Sequence, residues 1–197
     1  MAEEKTKPRD PRAYAAFQAF IDEFARETDR AAVVLGAARL DAQLYQLISK
    51  VLAPCSGSND ELLDGDSPLA TFSSKINIGY RLGLIDASMA RALHLCRRIR
   101  NSFAHEITSS TLDAHRDRIR ELVNLFSSSA ESFEDFKKTF FGEVTGCASD
   151  FRTVLAIVSV RLDRAINDAV AVDTRRAVAL ITPQGQAVVK TSAPEQK

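Results

Sequence analysis

Arg100, Asn101 and His105 stand close together in the stretch Arg100-Asn101-Ser102-Phe103-Ala104-His105, and their types suit one kind of chemistry. Asn101 and His105 are four residues apart, so on a helix the amide can hydrogen-bond the imidazole and fix which ring nitrogen faces outward. Arg100 lies about 100° around the helix from Asn101, within reach for its planar guanidinium to grip a phosphate bidentately. Cleaving RNA without a metal requires a base for the 2′-hydroxyl proton, an acid for the leaving oxygen and positive charge against the phosphorane. These residue types can supply all three. The same residues are also what a solvated helix face carries, and an Arg followed five positions later by His is a common string.

The positions around them predict the helix that would carry them. Ile85, Met89, Ala92, Cys96, Ile99, Phe103 and Ile107 step by three or four and line one face, the one that belongs to a core. His94, Arg98, Asn101 and His105 follow the same steps two residues out of phase, about 200° away. One stretch therefore presents a core face and a polar face together.

Two resemblances attach to these residues. The Arg-Asn-x-x-x-His string at 100–105 resembles the signature of the HEPN superfamily of helical proteins, many of which are metal-independent ribonucleases. The run LLDGDSPLATFSSKINIGYRLGLI at 62–85 is similar to the central segment of the mannitol operon repressor family. It shares a Leu-Leu-Asp-Gly-Asp, small residue, Pro-Leu start and a Tyr-x-Leu-Gly-hydrophobic-Ile close. With RAAVVLGAARLDAQLYQLI upstream and RRIRNSFAH downstream, the likeness covers roughly residues 29–106. It implies an all-α fold, a HEPN-like antiparallel helical bundle, and a role in repressing transcription. The HEPN resemblance implies instead a site in which His105 is base or acid, Arg100 the phosphate clamp and Asn101 the orienter. It also implies a two-fold dimer that brings two copies of the set into one cleft. The amide after Arg100 is closer to the ribonuclease signature than the repressor likeness requires.

Composition narrows the classes. The chain has 197 residues, enough for one domain with a true core. Its 26 basic and 26 acidic residues cancel, so no global field draws it to nucleic acid or an acidic membrane, and any polyanion site must be local. Tight sequence-specific binding of duplex DNA is not expected, since no helix-turn-helix or dense basic stripe is recognisable. Three widely spaced cysteines, Cys55, Cys96 and Cys147, fit reduced thiols in a cytoplasm rather than disulfides or zinc. No signal peptide or apolar run of transmembrane length is present, and no cofactor or metal is expected.

In chain order, residues 1–11 read as a polar arm. Tyr14, Phe17, Ile21 and Phe24 mark a helix over 12–27. Val33, Ala37, Leu40, Leu44, Leu47 and Val51 form a heptad-like seam on a second helix over 29–52, which predicts antiparallel packing on another long helix. Arg39, Asp41, Gln43 and Gln46 fall off that seam and read as a solvated flank. After a loop at 54–60, Asp64-Gly65-Asp66 reads as a tight turn rather than a cation site. Ser67 or Asp66 caps a helix that has Pro68 at its first position, runs through Phe72, Ile76 and Tyr80, and weakens at Gly83.

Leu112, Ile119, Phe126, Phe133 and Phe140 recur at seven, as one long helix would, whereas Ser127-Ser128-Ser129 allows two helices. His115 reads as a surface residue. Residues 142–150 read as a loop, followed by a helix through Phe151, Leu155, Val158, Leu162, Ile166 and Ala169, with Arg152, Arg161 and Arg164 at polar positions. The helical domain is expected over 12–172, a small β-hairpin around Pro183-Gln184-Gly185 over 175–191, and a loose tail over 192–197.

Two functions are expected from these readings. The leading one is a regulatory protein of the mannitol-repressor type that represses indirectly through a protein partner. The other, close behind, is a metal-independent endoribonuclease, toxin- or defence-like, acting on RNA through a composite homodimer site.

Overall fold

The computed structural model describes residues 11–55, 57–105, 111–142 and 145–174. Seven α-helices account for most of them: α1 (Pro11–Arg26), α2 (Asp29–Val51), α3 (Phe72–Arg81), α4 (Ala87–His105), α5 (Arg116–Asn124), α6 (Ala130–Phe141) and α7 (Gly146–Asp168). Short 3-10 turns at Leu112–His115 and Ser127–Ser129 join them, and no strand occurs among the described residues. The fold is all-α there. The amino-terminal arm, the Tyr14 side chain, Ile107, the hairpin over 175–191 and the tail lie outside the described residues.

The chain is organised around α2. Thr28 Oγ1 accepts from Ala31 N at 3.2 Å and starts the helix. The expected seam of Val33, Ala37, Leu40, Leu44, Leu47 and Val51 is buried throughout. Its closest partner, however, is α7, and the two run parallel. Arg152 pairs with Asp29 at their starts, while Lys50 Nζ donates to the Ile166 carbonyl at 2.6 Å near their ends. The antiparallel neighbour is α4, since Arg30 Nη1 at the start of α2 donates to the carbonyl of Phe103 at the end of α4. A hydrophobic seam carries no direction. Long connections outside it decided which helix returned and which ran alongside.

Other expectations are corrected. Gln43 is 4% exposed and not solvated: its amide donates to the Ser159 carbonyl and hydroxyl, each at 3.0 Å, and to Asp163 Oδ1 at 2.6 Å. Arg39 donates from Nε to Ser159 Oγ at 2.7 Å and lies over the Phe20 ring. Asp41 meets buried Lys75 at 2.9 Å. Of that flank, only Gln46 is exposed. Three partner helices, α3, α4 and α7, pack on α2, so positions beside the seam are enclosed as well and most of their polar atoms are hydrogen-bonded in compensation.

The helix expected from Pro68 begins at Phe72 instead, because Thr71 Oγ1 accepts from Ser74 N at 3.1 Å and caps it. Ser67 is already engaged, its hydroxyl donating to the Asp64 carbonyl while Leu69 N closes the loop on Leu62 O at 2.9 Å. The seven-residue repeat from Leu112 is divided between α5 and α6, which part at 125–129. Gly146–Asp150, expected as loop, form the first turn of α7, entered through Gly146 at φ +69°.

Candidate functional site

Asp86 sets the start of α4: its carboxylate accepts from Met89 N at 2.7 Å and its carbonyl from Ala90 N at 3.0 Å. The helix proceeds through Ala, Leu, Met and Arg, good helix formers. Ala92, Cys96, Ile99 and Phe103 are buried as their spacing requires. At the far end Arg30 reaches the Phe103 carbonyl at 2.7 Å, satisfying one of the four carbonyls that a helix C-terminus leaves unpaired. Burial pushes the Cys96 thiol up to about 12, so the cysteine under this helix is a packing residue and not a nucleophile.

The three candidate residues occupy the last two turns. Arg100 and Asn101 are half-buried and His105 is exposed. Among the described residues no hydrogen bond joins Asn101 to His105, and no ion pair engages Arg98 or Arg100. Ser102 Oγ donates to the Arg98 carbonyl at 3.2 Å and accepts from Arg118 Nη1 of α5 at 3.3 Å, so α5 leans on this edge. His94, on the same edge one turn before Arg98, is engaged differently: its Nε2 lies 3.1 Å from Asn77 Oδ1 of α3. Burial first, then the cations Arg97 and Arg98, lower the pKa of its imidazole and favour the neutral form.

His115 departs from its expected surface position. It is buried, its ring 5.3 Å from that of Phe103 and its Nδ1 3.3 Å from Arg118 Nη1. The 3-10 turn at 112–115 rotates it inward relative to the α-helical phase assumed for it. This places a second imidazole behind the end of α4, which periodicity could not have found.

One signal was legible and missed. Residues 70–105 contain Lys75, Arg81, Arg91, Arg97, Arg98 and Arg100 against the single acid Asp86, a surplus of five positive charges in a chain whose total is zero. A balanced composition concealed a basic α3–α4 segment, in which Lys75 and Arg91 are paired with Asp41 and Glu121 from other helices. No group of three or more His, Cys, Asp or Glu positioned for a metal occurs among the described residues. Asp64, in the acidic turn, is engaged internally, its two oxygens accepting from Tyr45 Oη at 3.0 Å and Asp60 N at 2.9 Å. The Asp60 amide first, then the Tyr45 hydroxyl, hold its carboxyl below the usual range.

Comparison with protein-family models, with curated proteins and with solved structures returns no match. The resemblances to the HEPN superfamily and to the mannitol operon repressors therefore stand on their motifs. In the Asp64-Gly65-Asp66 turn the Asp64 side chain is committed to closing a loop, while Asp66 is exposed. No helix among the described residues is long and apolar enough to cross a membrane.

Proposed function

We propose that this protein is a metal-independent endoribonuclease of the HEPN type, acting in the cytoplasm as a two-fold homodimer. The observation that supports this best is the outer edge of α4. There Arg98, Asn101 and the exposed imidazole of His105 share one face of a locally basic segment, and half-buried Arg100 flanks it about 100° around the helix from Asn101; neither arginine has an ion pair among the described residues. Arg100 grips the scissile phosphate, Asn101 orients His105, and His105 transfers the proton. The 2′-oxygen attacks phosphorus as its proton leaves, the P–O5′ bond breaks, and the leaving oxygen is protonated. The products are a 2′,3′-cyclic phosphate and a free 5′-hydroxyl. One chain carries one such imidazole, so the second proton-transfer group comes from the other copy across the two-fold axis. The test is a mixed RNA pool incubated in EDTA beside His105→Ala. Cyclic phosphate ends made only by the wild type support the reading, and an uncut pool rejects it.

The second reading is a regulatory protein of the mannitol-repressor type that represses through protein contacts. The face of α2 left uncovered among the described residues favours it, where Val34 and Leu35 are 43% and 49% exposed beside exposed Ala38. An inactive wild type, together with loss of a protein complex on Leu35→Glu, would select this reading.

A further inference from the structure

Between α3, α4 and α5 lies a cleft of about 370 Å³. Apolar Ala87, Ala90 and Leu95 line it together with the polar side chains of Asn77, Tyr80, Arg91, His94, Arg98 and Glu121. This volume is near the lower end of ligand sites, roughly 300–1,000 Å³, suited to one small molecule or one unit of a polymer.

The wall groups differ in what they have left to offer. Arg91 is paired: its Nε donates to Glu121 Oε1 at 2.7 Å, and Nη2 reaches the same oxygen. The Glu121 carboxylate is thereby offset and does not oppose an incoming anion alone. Arg98 has no ion pair among the described residues and is exposed. Tyr80 is 48% exposed, an uncovered aromatic ring at the rim. Asn77 and His94 hold one another at 3.1 Å, which leaves the Asn77 amide nitrogen available as a donor.

We infer that this cleft is a nucleotide subsite, with Tyr80 stacking the base, Arg98 taking the phosphate and Asn77 meeting the polar edge of the base. A ring for stacking beside an unpaired guanidinium is the combination by which proteins hold single nucleotides of a strand. Along α4, His105 lies seven residues from Arg98, about 10 Å at a rise of 1.5 Å per residue. A short RNA strand seated here would thus extend toward the proposed cleavage site. The inference rests on the RNA reading only for the source of the nucleotide.

The neutral imidazole of His94 reports on occupancy. It lines the cleft with Arg91 and Arg98 of its own helix, Tyr80 of α3 and Glu121 of α5, and feels the charge of Arg97. An anion beside Arg98 offsets the positive charge that discourages its protonation, so its pKa rises on binding.

The experiment is a nuclear magnetic resonance titration of the His94 ring with uridine monophosphate, uridine, inorganic phosphate and a short oligouridylate. Saturable shifts with the monophosphate are expected, tighter with the oligomer and weaker with uridine or phosphate alone. Tyr80→Ala should weaken monophosphate binding about 5- to 150-fold and Arg98→Ala at least about tenfold, while Arg81→Ala, outside the cleft, leaves it unchanged. No response at His94, phosphate binding as tightly as the nucleotide, or insensitivity to both cleft variants overturns the inference. So does a change in sedimentation of these variants in place of a change in binding, which would make the cleft a subunit interface. Cleavage assays separate this from the ribonuclease reading. Nucleotide binding with this pattern in a protein that cuts no RNA keeps the subsite and rejects the nuclease. RNA cleavage whose KM ignores Arg98→Ala and Tyr80→Ala does the reverse.

Discussion

The seam between α2 and α7 and the outer edge of α4 are both rich in polar side chains, and they use them in opposite ways. In the seam, Arg152 is 3% exposed and donates to the carbonyls of Phe24, Glu27 and Ala148 as well as to Asp29, while Gln43 bridges to Ser159 and Asp163. Their donors are committed to joining helices, although the buried Gln43 Oε1 has no partner among the described residues. On the α4 edge, Arg98, Arg100, Asn101 and His105 have no side-chain hydrogen bond to one another among the described residues, and Arg98 and His105 face solvent. A buried polar group must be satisfied to be tolerated, whereas an exposed one can wait for a ligand. The type of a residue therefore says little about its role until its partners are known. Arg152 and Arg100 look alike in the chain and differ in this respect.

The comparison breaks most visibly if the edge is not chemical. His105→Ala and Arg100→Ala are each expected to reduce RNA cleavage about 10²- to 10⁴-fold, and Arg100→Lys should restore it only in part because a point charge lacks the bidentate fork. The same His105→Ala should move unfolding free energy by less than about 0.5 kcal/mol, as befits an exposed side chain. Gel-based cleavage beside urea denaturation reads both. A large stability loss would place His105 with the seam residues.

The converse substitution is Arg152→Met, expected to cost about 3 kcal/mol because three carbonyls and Asp29 lose a buried partner. Cleavage by the folded fraction should be unchanged. A midpoint in urea equal to that of the wild type would show that the clamp holds nothing.

A smaller effect tests the closeness of the seam itself. A Cβ at Gly36 would meet Leu155 Cδ1 and the Phe24 ring, and both side chains are themselves buried. Gly36→Ala is expected to destabilise by about 1–2 kcal/mol through overpacking, despite the better helix propensity of Ala. A stabilised variant would mean that α2 and α7 separate easily.

The smallest effect concerns the Asp64 turn. Its carboxyl is held below the ordinary value of 3.8, so the folded state favours the charged form. The stability this contributes is present above pH 3.8 and is lost as pH falls through the lowered folded value. Asp64→Asn should flatten the acid limb of a stability-versus-pH curve without altering its neutral plateau in slope. An unchanged acid limb would show that the turn is not held by charge.

Much of the helical architecture was legible in the chain. The stripes of α2, α4 and α7 and the weakening at Gly83 follow from local periodicity and backbone preference, which act over a few residues and leave a direct trace. The Arg100, Asn101 and His105 set, and the acid-poor run around it, are likewise local and readable. Only the tertiary structure decided that α7 runs parallel to α2, that Gln43 and Arg152 are enclosed, that His115 turns inward, and that Tyr80, His94 and Arg98 border one cleft. Those outcomes depend on which elements meet across separations as large as the 128 residues between Phe24 and Arg152. Amphipathic spacing states that a face will be covered, but the identity and direction of the covering helix are set by packing of the whole chain.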